Sequence, residues 1–227
     1  MTSPRSAIIV AGGVGKRMAS PVPKQFLLLR GKPVLCHTIE AFHGFDPEMR
    51  IIVVLPKEQV GRWRSLIIEH GFSIEHTVVN GGKERFHSVR EGLREVDHDG
   101  LVAVHDGVRP FVSEDLIRRC FVAASAHGAA IPVVPVSSSV RELVDGGSRA
   151  VDRALLRIVQ TPQCFRADLL WKAFELPYDP AFTDEATLVE RIGVLVQLVE
   201  GEERNIKVTT PMDMRMAEAL MAEGVTK

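Results

Sequence analysis

The residues best suited to chemistry gather early, in Ala11-Gly12-Gly13-Val14-Gly15-Lys16-Arg17-Met18 and, shortly after, Pro23-Lys24-Gln25. Glycines after an apolar run let backbone N–H groups approach phosphate oxygens, and Lys and Arg supply opposing charge. Two familiar glycine motifs fail on spacing. A dinucleotide fingerprint built on Gly13 and Gly15 needs a small residue at position 18, which is Met18. A Walker loop ending at Gly15-Lys16 needs glycine at position 10 and Ser or Thr at 17, where Val10 and Arg17 stand. A plain glycine connection with solvated cations is the simpler alternative. Cations packed this closely, with Lys24 fixed beside Pro23, better suit a nucleoside triphosphate whose leaving pyrophosphate must be neutralised.

Further along, Leu101-Val102-Ala103-Val104-His105 runs directly into Asp106, with Gly107-Val108-Arg109-Pro110 following. A carboxylate at a strand end can hold Mg²⁺ bridging phosphate oxygens, because Mg²⁺ prefers one or two carboxylates with phosphates and water. The competing reading is a turn cap paired with Arg109. Asn80-Gly81-Gly82 is first a turn signal, but glycines also let the backbone reach a flat base edge. Arg85 and Ser88, on a helix after it, could then reach ribose or phosphate. Arg153 is expected on the returning strand of an arm, Thr161 lies in Gln160-Thr161-Pro162-Gln163, and Thr183-Asp184-Glu185 reads as a helix N-cap followed by acids. Lys207 is expected as a cation on a short apolar strand, Asn205-Ile206-Lys207-Val208.

Acid–base machinery is sparse. There is no G-x-S-x-G elbow and no H-E-x-x-H pair, and the 8 histidines are dispersed, reading as surface or capping residues. A phosphate monoester nucleophile is already mostly ionised near neutral pH. It needs alignment and charge cancellation rather than a base.

These residues must be held by a sheet. Apolar runs at Ala7–Ala11, Ile51–Leu55, Leu101–His105, Ala130–Val136 and Leu195–Glu200 alternate with stretches of helical period. One helix starts at Pro33 with Leu35, Ile39 and Phe42 on one face; another has Ser113 as N-cap; a third opens at Thr210-Pro211. Continuous apolar strands between helices imply an α/β fold, a mainly parallel twisted sheet with helices on both faces. Residues 137–160 break the rhythm, with two polar runs around Asp145-Gly146-Gly147, a hairpin signal. Polar strands bury little, so they are expected to form a protruding β-arm that needs a partner surface. The expected organisation is a single domain over residues 1–227 carrying that arm.

The chain has 227 residues and a formal charge of −1, so no global positive field exists to hold nucleic acid. Its 3 cysteines are scattered without C-x-x-C spacing, as expected in a reducing cytosol. The N-terminal apolar run is too short for a signal-peptide core or a membrane span. The expectation is a soluble, cytoplasmic protein.

Taken in order, Ala11 to Met18, Pro23-Lys24-Gln25, Gly81-Gly82-Lys83-Glu84-Arg85, His105 to Pro110, Thr161-Pro162-Gln163, Thr183-Asp184-Glu185-Ala186 and Asn205 to Thr209 resemble the 2-C-methyl-D-erythritol 4-phosphate cytidylyltransferases of the non-mevalonate isoprenoid pathway. The likeness covers nearly the whole chain. It implies a nucleotide-diphospho-sugar transferase-like domain whose arm clasps a second subunit, and Mg²⁺-dependent transfer of CMP from CTP to the acceptor's 4-phosphate. It further implies that Arg17 and Lys24 stabilise the transition state. Ala11, Gly12, Gly13, Gly81, Gly82, Ser88 and Lys207 would hold CTP. Asp106, Arg109, Ser139, Arg153, Thr161 and Thr183 would surround the polyol phosphate, with Asp106 also on the metal and Arg153 reaching across from the partner's arm. Gly12 and Gly107 stand where the family often has alanine, and Ser139 where threonine is typical. A ribitol-5-phosphate cytidylyltransferase shares the glycine loop and the Thr-Pro-Gln segment; Thr183 to Ala186 and Val151-Asp152-Arg153 favour methylerythritol. A non-catalytic nucleotide-binding module is the alternative from another class.

Overall fold

The structure, a computed structural model, describes residues 3–13, 18 and 20–223. Four parallel strands form the heart of the sheet: β1 (Arg5–Val10), β4 (Arg50–Leu55), β5 (Thr77–Asn80) and β6 (Leu101–Asp106). β1 lies between β4 and β6, and β5 flanks β4. Strand side chains alternate between the faces, and here both faces are dry. Ala7, Ile9, Ile51, Val53, Leu55 and Ala103 pack into one apolar cluster with Leu35, Ile39 and Phe42 of helix α1 (Val34–Phe45), Trp63 of α2 (Lys57–Glu69) and Leu116 and Phe121 of α4 (Glu114–His127). Ile8, Ile52, Val54, Val102 and Val104 pack into the opposite one, against Phe86 and Leu93 of α3 (Arg85–Leu93), Leu170 of α5 (Ala167–Ala173) and Leu188 of α6 (Glu185–Glu190). The expected two-sided α/β fold is present.

Register brings the site together. Val10 is level with both Val54 and Asp106, and Leu55 is level with Asn80. The carboxyl ends of the four strands therefore open onto one edge of the sheet, where ligands of such folds collect.

Beyond β6 the sheet is mixed. β7 (Ala129–Pro135) carries β12 (Gln197–Glu200) in parallel on one side. On the other side β11 (Gln163–Arg166) is wedged antiparallel between β7 and β6. β11 has only 4 residues, too few for a periodic signature to mark it in the sequence. The arm is also shorter than expected. Its hairpin is β8 (Val140–Val144) and β9 (Gly147–Val151), turning at Asp145-Gly146 with Gly146 at φ 80°, and it forms a two-stranded sheet of its own. The returning segment β10 (Arg157–Val159) instead pairs with β7 in the main sheet. A small hairpin of β2 (Leu28–Leu29) and β3 (Lys32–Pro33) precedes α1.

The helix starts follow local capping chemistry. Ser113 accepts from Leu116 N–H at 3.0 Å. Thr210 and Asp213 cap α7 (Pro211–Glu223) reciprocally: Asp213 N–H donates to Thr210 Oγ1, and the Asp213 carboxylate takes the Thr210 N–H. Among the described residues no helix is long and apolar enough to cross a membrane.

Candidate active site

A cleft of about 250 Å³ opens at the aligned strand ends. Its walls are Ala11, Gly12 and Gly13 after β1, Lys24 and Gln25, Gly81 to Arg85 after β5, Ser88 on α3, Asp106 and Lys207. Residues separated by nearly the whole chain thus meet around one space. Arg17 lies outside the described residues.

The two glycine segments approach the cleft for different reasons. A Cβ on Gly82 would fall 2.4 Å from the His87 Cβ, and one on Gly81 2.9 Å from Ser88 Oγ. Only glycine lets this turn lie flat on the start of α3. Ser88 fixes it by accepting from Gly82 N–H at 3.2 Å. Gly12 has ordinary room, with Ser88 Oγ 3.9 Å away from a Cβ placed there. The Pro23-Lys24-Gln25 segment is held to the first loop by buried Gln25, whose Nε2 donates to the Ala11 carbonyl at 2.8 Å. That contact sets Lys24 beside Gly13, whose Cβ position lies 3.4 Å from Lys24 Cε.

Asp106 is the electrostatic centre. Lys207 Nζ stands 3.0 Å and Arg109 Nε 3.1 Å from its Oδ2. Burial alone raises its carboxyl, but Lys207, Arg85 and Arg109 override that and hold it well below the usual carboxylate range. Behind it, fully buried His105 is pushed down to about 4 by desolvation, against the opposing hydrogen bond to the Arg109 carbonyl. The ring is therefore neutral around neutral pH. Its Nε2 faces the Arg109 carbonyl at 3.1 Å, and because a carbonyl only accepts, the proton sits on Nε2. Nδ1 is left to accept from the Thr161 hydroxyl at 3.0 Å.

Arg85 lines the cleft from the first position of α3 and is ion-paired to Glu185 at the start of α6. Glu185 is 2% exposed. Burial pushes its carboxyl up, and the Arg85 guanidinium draws it back down. Gln163 ties the same helix start to β11, donating to Asp184 Oδ2 at 2.8 Å and accepting from Ala186 N–H at 3.0 Å.

Of the residues singled out from sequence, Ala11, Gly12, Gly13, Lys24, Gly81, Gly82, Ser88, Asp106 and Lys207 share the cleft wall. Arg109 and Thr161 are buried behind Asp106 rather than in that wall. Three placements differ from expectation. Arg153 lies beyond β9 on a single 3-10 turn, Arg153–Leu155, because Asp152 accepts from Ala154 N–H and stops the strand. Its guanidinium donates to the Ser137 carbonyl, and both it and Ser139 are exposed on the arm. Asp184, not Thr183, is the N-cap of α6, since its carboxylate takes the Thr187 N–H; Thr183 is exposed one residue earlier. Lys207 sits on irregular backbone rather than a strand, tied through Val208 N–H to the Val108 carbonyl at 2.9 Å. His105, Glu185 and Asn205 were not picked out as site residues. A dispersed histidine, an acid in a first helical turn and an asparagine in a loop carry no local mark of long-range bonding.

Glycine turns, cations and one strand-end carboxylate on an α/β sheet define the nucleotidyltransferase-like class. The family model of IspD, 2-C-methyl-D-erythritol 4-phosphate cytidylyltransferase, matches residues 6–223. The cytidylyltransferase of that name from Bacteroides fragilis is 55% identical over 217 residues, covering 96% of this chain and 99% of its own. The one from Geobacter metallireducens is 41% identical, covering 96% and 97%. Among solved structures, the Thermus thermophilus enzyme of the same name superposes with a TM-score of 0.76 at 32% identity, over 98% of this chain and 100% of that one. The 4-diphosphocytidyl-2C-methyl-D-erythritol synthase of Anaerococcus prevotii superposes with a TM-score of 0.81 at 29% identity, over 96% of each chain. The chain belongs to the IspD family of 2-C-methyl-D-erythritol 4-phosphate cytidylyltransferases.

Proposed function

We propose that the cleft transfers CMP from CTP to the 4-phosphate of 2-C-methyl-D-erythritol, releasing pyrophosphate. The observation that carries this reading is the meeting of Lys24, Arg85, Lys207 and Asp106 between two glycine turns. The acceptor phosphate attacks the α-phosphorus as an anion; a new P–O bond forms and the bond to the bridging oxygen of pyrophosphate breaks. Arg17 and Lys24 neutralise the charge that builds on the phosphates. Ala11, Gly12, Gly13, Gly81, Gly82 and Ser88 hold the nucleotide, and Lys207 adds charge beside its phosphates. Thr183 flanks the acceptor.

Asp106 is the residue that would hold magnesium. Among the described residues no three His, Cys, Asp or Glu side chains form a cage. A single hard carboxylate completed by phosphate oxygens and water is a donor set that Mg²⁺ accepts. Such an ion, when bound, withdraws negative charge from the phosphates.

A homodimer through the arm accompanies this reading. Leu143 at the hairpin is 85% exposed and Leu155 on the following turn 83%, apolar surface that a second subunit would cover. In that arrangement Arg153 and Ser139 serve the partner's acceptor site. The protein is read as cytoplasmic.

A substrate matrix tests the reaction: four nucleoside triphosphates against methylerythritol 4-phosphate and ribitol 5-phosphate, reading pyrophosphate release. Turnover is expected for CTP with methylerythritol 4-phosphate. Preference for ribitol 5-phosphate would reassign the acceptor, and CTP binding without turnover on either would leave a nucleotide-binding module. Sedimentation tests the dimer, and a monomer at working concentration would remove the arm's role.

A further inference from the structure

We propose that His105 and Thr161 are positioning residues that act on the reaction through Asp106 and Arg109, by a closed ring of hydrogen bonds that fixes the Asp106 carboxylate. The inference rests on the proposed role of Asp106 and names what holds that residue in place.

The ring closes in four steps. Asp106 N–H donates to Thr161 Oγ1 at 3.1 Å. The Thr161 hydroxyl donates to His105 Nδ1 at 3.0 Å. His105 Nε2–H donates to the Arg109 carbonyl at 3.1 Å. Arg109 Nε–H donates to Asp106 Oδ2 at 3.1 Å, returning to the starting residue. A second loop braces the first: Asn205 Nδ2 donates to the Thr161 carbonyl, and Arg109 Nη1 donates to the Asn205 carbonyl, both at 2.8 Å. All of these residues are at most 8% exposed, and Phe42 meets the His105 ring edge-on at 5.0 Å.

The direction of each bond limits what Thr161 can do. Its one proton is engaged by His105 Nδ1, whose ring presents Nε2–H to the Arg109 carbonyl, so it has none to give a phosphate oxygen. One lone pair is engaged by Asp106 N–H. The residue stands outside the cleft wall. Its influence on substrate therefore passes through the carboxylate of Asp106, in the way that partners behind a metal ligand orient it.

The test is a double-mutant cycle. Thr161→Val and Thr161→Ser are made in the wild-type and Asp106→Asn backgrounds, and the affinity for the cytidine diphosphate-polyol product is measured by calorimetry beside kcat/KM for the acceptor. Thr161→Val is expected to lower acceptor kcat/KM about tenfold to a hundredfold, as removal of a group behind a ligand does. Thr161→Ser, which keeps the hydroxyl, is expected to restore it. In the Asp106→Asn background the Val substitution is expected to change product affinity by less than about twofold. An equal loss of product affinity in both backgrounds would show Thr161 touching substrate and overturn the proposal. His105→Gln with Thr161→Val is expected to be no worse than the poorer single variant, and additive losses would break the ring. Should His105→Gln fail to fold, the Thr161–Asp106 cycle still decides. Failure of wild-type protein to bind the product is a separate outcome, which overturns the reaction assignment and this proposal with it.

Discussion

Arg85 at the start of α3 pairs with Glu185 at the start of α6, 100 positions further along the chain. The pair joins the Gly81-Gly82 turn, which precedes α3, to the helix that follows Thr183. Its members are unequal, since Arg85 keeps 30% of its side chain exposed and Glu185 only 2%.

That asymmetry predicts unequal mutants. Arg85→Ala strands a buried carboxylate and should cost about 3–5 kcal/mol, whereas Glu185→Ala lets the arginine turn to solvent and should cost less. Urea denaturation of both variants checks this, and equal losses would contradict it. The Arg85→Ala deficit should also shrink as pH falls, because burial favours the protonated form of Glu185.

Lys24→Ala and Arg17→Ala should each lower turnover by about 10²–10³-fold, the scale of removing one preorganised charge-stabilising donor. Thermal midpoints should barely move. Single-turnover kinetics check this, and a variant that keeps wild-type turnover takes its residue out of the reaction.

The two glycine segments should respond differently to a methyl group. Gly82→Ala forces a Cβ to within 2.4 Å of His87 and should cost about 1–3 kcal/mol, with weaker CTP binding. Gly12→Ala meets only a 3.9 Å contact and should stay within about 0.5 kcal/mol of wild-type stability. Denaturation midpoints and nucleotide titration measure both, and a Gly82→Ala protein as stable as wild type would be incompatible with the packing described.

Stability should fall as pH drops from about 6.5 to about 4. His105 titrates near 6.5 when unfolded and is held to about 4 by burial when folded. Between those values the unfolded chain binds more protons, so its contribution is fully present above about 6.5 and lost on the way down, on the order of 3 kcal/mol. Burial also lowers His37 and His76, which act with the same sign. Asp106, held far below the usual range, keeps its contribution until pH falls below about 4. Denaturant midpoints across this window, compared with those of a His105→Gln protein, should show a flatter slope in the variant. Matching slopes would remove His105 as the source.

The parts of the site legible in the sequence are those whose meaning is local. A strand that runs into Asp106, glycines after β1 and β5, and Lys24 locked beside Pro23 are each written in a few adjacent residues. Strand runs and caps such as Ser113 and Thr210 are equally local, since period and hydrogen-bond reach act over a turn or two. Asp184 takes the cap from Thr183, and Lys207 stays off a strand, because neighbouring residues compete for such places and the winner is set by which backbone groups lie opposite.

Sequence by itself determined the α/β class, the family resemblance and the cationic glycine loops, because contiguous residues encode them. Tertiary structure alone decided that Lys207 reaches Asp106, that β11 inserts between β6 and β7, that Glu185 holds Arg85, and that His105 and Thr161 turn their bonds toward Asp106. Those are choices among partners distant in the chain. They are made by burial, which leaves each buried polar group to find whatever donor or acceptor the fold places beside it.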